Sequence, residues 1–159
     1  MPDQDILKLT ISELAPLIRD KKVSVVDVTE AALDQADRLQ PTLNSFITIL
    51  HDQARADARE SDALLSRGRY LGPLHGVPIG IKDNLATAGI RTTVGSKVLT
   101  DNVAGEDARV VTLCKNAGAI VLGKENLEEF AMGVTSNNPH YGAVHNPWAV
   151  DHVPGGSSG

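Results

Sequence analysis

An α/β fold with a mixed or parallel sheet is the class this sequence predicts, and three observations carry it. The first third is helical in period. A glycine- and proline-punctuated stretch then leads into the short apolar run 77–81, and a helix, a glycine and a buried-strand pattern follow between residues 108 and 123. The length of 159 residues is enough for a real hydrophobic core, and 42% apolar composition fits a folded chain.

The first helix is announced by Thr10 and Glu13 at capping-box spacing, with Leu14, Leu17 and Ile18 on one face and an end near Lys21 and Lys22. Ser24 is placed to cap a second helix, with Val28, Ala31, Ala32 and Leu39 inward, Glu30, Asp34 and Asp37 toward water, and Pro41 as its stop. A third helical pattern runs from about Phe46 to Leu65, and its alanines, Ala54, Ala56, Ala58 and Ala63, favour helix and permit close packing. After Arg67 the glycines and prolines mark turns, and Val77 to Ile81 reads as the first strand. A helix from about Ala108 to Asn116, Gly118, and the run Ala119 to Gly123 complete an α/β unit. From Ala131 onward no period is visible.

Composition narrows the function. A net charge of -5, with arginines interspersed among acids, argues against a protein that grips nucleic acid directly. One tryptophan, two tyrosines and two phenylalanines provide little for base stacking. No stretch reaches membrane-span length, and residues 1–5 read as an acidic lead without a basic segment, so a cytosolic protein is expected. The lone Cys114 sits in an apolar helical pattern and is expected to be a buried thiol.

Conventional catalytic residues give no lead. The five histidines, His51, His75, His140, His145 and His152, lack metal-ligand spacing, and one cysteine cannot complete a zinc site. No Gly-x-Ser-x-Gly elbow is present. The terminal Gly155-Gly156-Ser157-Ser158-Gly159 lacks the lysine of a phosphate loop and is equally compatible with a linker or with backbone running close to a ligand.

The segments Gly76-Val77-Pro78-Ile79-Gly80-Ile81-Lys82-Asp83-Asn84, Gly123-Lys124-Glu125-Asn126-Leu127-Glu128-Glu129-Phe130-Ala131-Met132-Gly133, Asn146-Pro147-Trp148 and Pro154-Gly155-Gly156-Ser157-Ser158-Gly159, in this order, resemble the amidase signature family. The resemblance covers nearly the whole chain. It implies the N-terminal portion of the amidase signature fold, helices packed around a mixed sheet and incomplete in this chain. Residues 1–159 are then the N-terminal part of a single amidase domain, with a helical opening at about 10–66 and the start of the α/β core at about 76–159.

It further implies a serine-serine-lysine mechanism in which Lys82 is the base and Ser157, preceded by a cis peptide bond, the intermediate serine. The acyl-forming serine and the oxyanion-hole turn are expected beyond Gly159, so the 159-residue chain alone is expected to be inactive. Burial of Lys82 would favour its neutral form. The opposing reading pairs Lys82 with a carboxylate and makes Ser157 a turn residue. Met132, Gly133 and Ser136 are expected to line the substrate entrance, with Ser158 beside the site; core filling by Met132 and turn formation by the polar residues are the ordinary alternatives. Asp83, on the opposite side of an extended backbone from Lys82, is expected to hold a loop.

The implied activity converts a small-molecule carboxamide to a carboxylate and ammonia or an amine, with no metal or organic cofactor and no membrane or direct nucleic-acid partner. Within the family, the other expectation is the A subunit of an aminoacyl-tRNA amidotransferase, releasing ammonia from glutamine for partner subunits. A noncatalytic truncated interaction module is the reading from a different class, and a second chain supplying the remainder of the enzyme is a further one.

Overall fold

The computed structural model describes residues 6–159; the acidic lead at 1–5 lies outside them. Two compact units are present, one made of residues up to Ala36, Leu50–Ile79 and Thr112–Leu122, the other of Asp37–Ile49, Gly80–Val111 and Gly123–Gly159.

In the first unit, α1 (Ile11–Arg19) starts where the sequence places it: the Glu13 carboxylate accepts from both the N–H and the hydroxyl of Thr10, each at 2.8 Å. It ends slightly early, with Lys21 in the left-handed region at φ 55°. The second helix, α2 (Val25–Leu43), has its first N–H groups satisfied by Ser24 Oγ, which accepts from Asp27 at 2.9 Å, and by Asp62, which accepts from Val25 at 2.9 Å. Pro41 does not close this helix. It occupies the last turn, where a missing N–H removes one rung while the dihedrals still suit a helix, and two further helical residues follow. Glu30 does more than face water, because the Arg55 guanidinium of α3 (His51–Ser66) donates to it through Nε at 2.8 Å and Nη2 at 2.9 Å. Ala54 and Ala58 are fully buried beside a core of Ile18, Val25, Val28 and Leu33. His75 is also fully buried; its Nδ1 accepts from Leu71 N–H at 3.2 Å, so Nε2 carries the proton and donates to the Ser61 carbonyl at 3.2 Å. It has a packing role in the core.

The expected third helix is shorter than its period. Phe46–Ile49 form strand β1, because Ile47, Thr48 and Ile49 are β-branched and find a partner strand. The other long strands are β2 (Pro78–Lys82) and β3 (Ile120–Glu125), and the sheet order is β1-β3-β2. β1 runs antiparallel to β3, with Phe46 opposite Glu125 and Ile49 opposite Gly123. β2 runs parallel to β3, since Ile120 N–H donates to Val77 O at 2.9 Å and Asp83 N–H to Glu125 O at 3.1 Å. The sheet is thus mixed.

The helix before β3, α4 (Arg109–Asn116), matches its expected span, and Cys114 on it is half-buried and not sealed. Gly118 turns at φ 89°. Beyond residue 125 the chain is mostly irregular, with the two-residue strands β4 (Asn137–Asn138) and β5 (Gly142–Ala143) paired antiparallel. Side-chain amides hold it: Asn138 donates to the carbonyls of Gly95 and Leu127, both at 2.7 Å, and Asn126 to those of Asn44 and Gly142 at 3.1 and 3.2 Å. Among the described residues no helix is long and apolar enough to cross a membrane.

Candidate active site

Lys82 is the last residue of β2, and an extended backbone sends alternate side chains to opposite faces. Lys82 therefore parts from Asp83. On its face, Nζ of Lys82 donates to Ser157 Oγ at 2.5 Å across 75 residues of sequence. Lys82 and Ser157 are both half-buried, so the lysine is less enclosed than the sequence leads one to expect. The Gly156-Ser157 peptide bond is cis.

Behind that strand, Asp83 is fully buried and receives the Thr93 N–H at 2.8 Å and the Thr93 hydroxyl at 2.5 Å. Its second oxygen faces the fully buried Lys124 ammonium at 3.3 Å. Lys124 in turn donates to Leu85 O and Thr92 Oγ1, both at 2.8 Å. A buried charge pair with its remaining donors satisfied anchors the loop after β2 and, through the backbone, the direction of Lys82. Asp83 holds a loop, as its sequence position implies.

Glu125 shares the face of Lys82. A Cβ built on Gly80, two residues before Lys82, would collide with the Glu125 carboxyl, so that carboxyl fills the space over Gly80. Burial pushes Glu125 above the usual carboxylate range, and the Lys82 charge pulls the other way. A raised folded-state value favours the protonated form. The stability it contributes is present below the unfolded value and is lost as pH rises through the folded value. Glu125→Gln should therefore flatten the decline in melting temperature between acid and neutral pH. Thermal melts of both proteins across that range check it, and parallel pH profiles would refute it.

The residues expected around the site divide. Ser158 is exposed next to Ser157, and Met132 is 83% exposed, so it does not fill a core. Gly133 is half-buried against the Glu128 carboxyl. Ser136 is fully buried; its hydroxyl donates to the Gly155 carbonyl at 2.9 Å, so it braces the chain leading to Ser157 and is closed to solvent.

His140 and His145 have different hydrogen-bond partners. Nε2 of His140 meets Glu129 at 2.9 Å, and Nδ1 of His145 meets the Val150 carbonyl at 2.7 Å. Glu129 also accepts from Ser96 Oγ at 2.6 Å, and this bond first, then His140, holds it below the usual carboxylate range. Among the described residues no group of three His, Cys, Asp or Glu side chains is arranged to hold a metal ion. Sequence reasoning assigns no roles to Lys124, Glu125 and Glu128. The available signal is a charged run, Lys124, Glu125, Glu128 and Glu129, directly after an apolar strand, where solvent exposure is the ordinary expectation.

Known proteins share both sequence and fold with this chain. The family profile described as Amidase matches residues 27–159. The A subunit of the glutamyl-tRNA(Gln) amidotransferase of Pseudomonas entomophila (strain L48) is 47% identical over 152 residues, covering 96% of this chain and 31% of that protein. Its counterpart of the same name in Carboxydothermus hydrogenoformans is 42% identical over 155 residues, covering 98% and 32%. The native peptide amidase from Stenotrophomonas maltophilia superposes with a TM-score of 0.88 at 32% identity, covering 95% of this chain and 32% of its own. The chain thus spans about a third of the length of the curated relatives it matches. With the Amidase profile matching residues 27–159 and relatives above 40% identity covering nearly the whole of it, the chain belongs to the amidase signature family.

Proposed function

We propose that residues 1–159 form the N-terminal part of an amidase domain and supply the base and the proton relay for hydrolysis of a carboxamide. The observation that carries this reading is the 2.5 Å contact between Lys82 Nζ and Ser157 Oγ. In the scheme, neutral Lys82 accepts the Ser157 proton while Ser157 takes one from an acyl-forming serine located beyond Gly159. That serine oxygen bonds to the amide carbon, the carbon–nitrogen bond breaks, and the relay returns the proton to the leaving amine. Water then attacks the acyl-serine by the reverse route. No metal or organic cofactor takes part in these steps. Ser158, exposed next to Ser157, and the exposed Met132 are assigned to the substrate side of the site.

A narrower reading makes glutamine the amide and this chain part of the A subunit of an amidotransferase, feeding ammonia to its partners. The names of the curated relatives, at 42% and 47% identity, favour it.

The test is ammonia release by the native full-length chain from primary carboxamides and from glutamine, the latter with and without candidate partner proteins, together with peptide mapping of the acylated serine. We expect acylation beyond Gly159, and no turnover by residues 1–159 alone even when they melt cooperatively. Acylation of Ser157 or Ser158 would overturn the relay assignment. Turnover with no acyl-serine at all would remove the mechanism, and an inert full-length protein would favour a noncatalytic module.

A further inference from the structure

The relay reading requires Ser157 Oγ to stay in register with Lys82, yet Ser157 lies in irregular, half-exposed chain. Resting on that reading, we propose that Glu128 and Ser136 are positioning residues that clamp the backbone of residues 155–157 beside Lys82.

Glu128 works from both its backbone and its side chain. Its N–H donates to the Ser157 carbonyl at 3.0 Å, next to the bridge between Leu127 and Ser158 and the Gly159 N–H bond to Asn126 O at 3.2 Å. Its carboxylate accepts the Thr135 N–H at 2.9 Å, the Ser136 N–H at 3.2 Å and the Thr135 hydroxyl at 3.2 Å. These bonds, the Thr135 N–H foremost, hold the carboxyl below its ordinary range, so it remains an acceptor through neutral pH.

Ser136 closes the circuit by donating its hydroxyl to the Gly155 carbonyl at 2.9 Å. The carbonyls of Gly155 and Ser157 are therefore both pinned, by two residues that the Glu128 carboxylate itself ties together. Between them Gly156 lies flat on the other segment: a Cβ there would sit 2.6 Å from Thr135 N, closer than a real Cβ approaches backbone. Residues 135–136 are thereby tied to residues 155–157 by hydrogen bonds and close backbone packing.

The arrangement predicts which replacement should be tolerated. Both backbone N–H bonds fall on Oε2 of Glu128, so a glutamine oxygen can accept both while its amide donates to the Thr135 hydroxyl. Alanine can do neither.

The experiment measures kcat and KM for glutamine and a primary carboxamide in the native full-length chain and in its Glu128→Ala, Glu128→Gln, Ser136→Ala and Lys82→Ala variants, with thermal melts and amide exchange. Glu128→Ala should lower kcat about 100-fold with KM unchanged, the size expected when a reacting group shifts by roughly an ångström. Glu128→Gln should recover most of it. Ser136→Ala should lower kcat in the same sense, and exchange should quicken at residues 134–136 and 157–159 in both alanine variants. Wild-type kcat in a folded Glu128→Ala or Ser136→Ala protein overturns the clamp, as does loss in Glu128→Gln equal to that in Glu128→Ala. If Glu128→Ala does not fold, Ser136→Ala and Glu128→Gln still decide. Wild-type turnover in Lys82→Ala instead sinks the underlying base reading, whatever the clamp variants do.

Discussion

Replacing Lys82 by alanine in the native full-length chain is expected to lower kcat/KM about 10²- to 10⁴-fold, the range supplied by a positioned acid–base group. The reason is local. On its face of the sheet Lys82 is bonded to the Ser157 hydroxyl, the group whose proton the proposed relay moves. Arginine should not restore activity, because a guanidinium stays protonated and cannot accept a proton. The fold should survive, since Lys82 is half-buried and lies outside the Asp83–Lys124 pair. Steady-state rates at saturating substrate, with melting curves recorded alongside, check the expectation. Wild-type turnover in Lys82→Ala, or full rescue by Lys82→Arg, would end the assignment.

The largest effect on stability is expected on the other side of the same strand. Lys124→Ala removes one partner of a charge pair in which the two side chains are 0% and 1% exposed, leaving Asp83 buried with Thr93 but no counter-charge. Breaking such a pair costs about 3–5 kcal/mol. The Leu85 carbonyl and the Thr92 hydroxyl lose their donor at the same time, which adds to the penalty. Asp83→Asn in the Lys124→Ala background should recover part of the loss, because a neutral amide no longer needs a cation. Denaturant titrations of the single and double variants measure this. A Lys124→Ala protein as stable as the parent would show that the pair contributes nothing.

Local signals locate most of the regular structure. Thr10 with Glu13, Ser24 before Val25, and the helix–Gly118–strand run each depend on neighbours within a few residues, so the sequence alone announces them. The same locality misleads at Phe46–Ile49, whose helical period continues that of the following helix and whose pairing with β3 depends on residues more than 70 positions away. It also makes Pro41 look like a stop when it is the last turn of α2.

At the site, the order of motifs names Lys82 and Ser157, but residue types carry no distances. Their meeting at 2.5 Å follows from where β2 ends and how residues 133–136 brace residues 155–157, both set by tertiary contacts. Charge alone marks Lys124 and Glu128 as surface residues, because charge is usually solvated. The structure instead buries Lys124 and uses the carboxylate of Glu128 as an acceptor for three donors. The helical faces, two of the long strands and the two residues on which the proposed chemistry turns are thus written in the order of amino acids, since each rests on neighbours or on motif order. Which charges are buried, which loop holds which, and the direction in which Lys82 points belong to the folded chain, because each depends on partners brought together from distant parts of it.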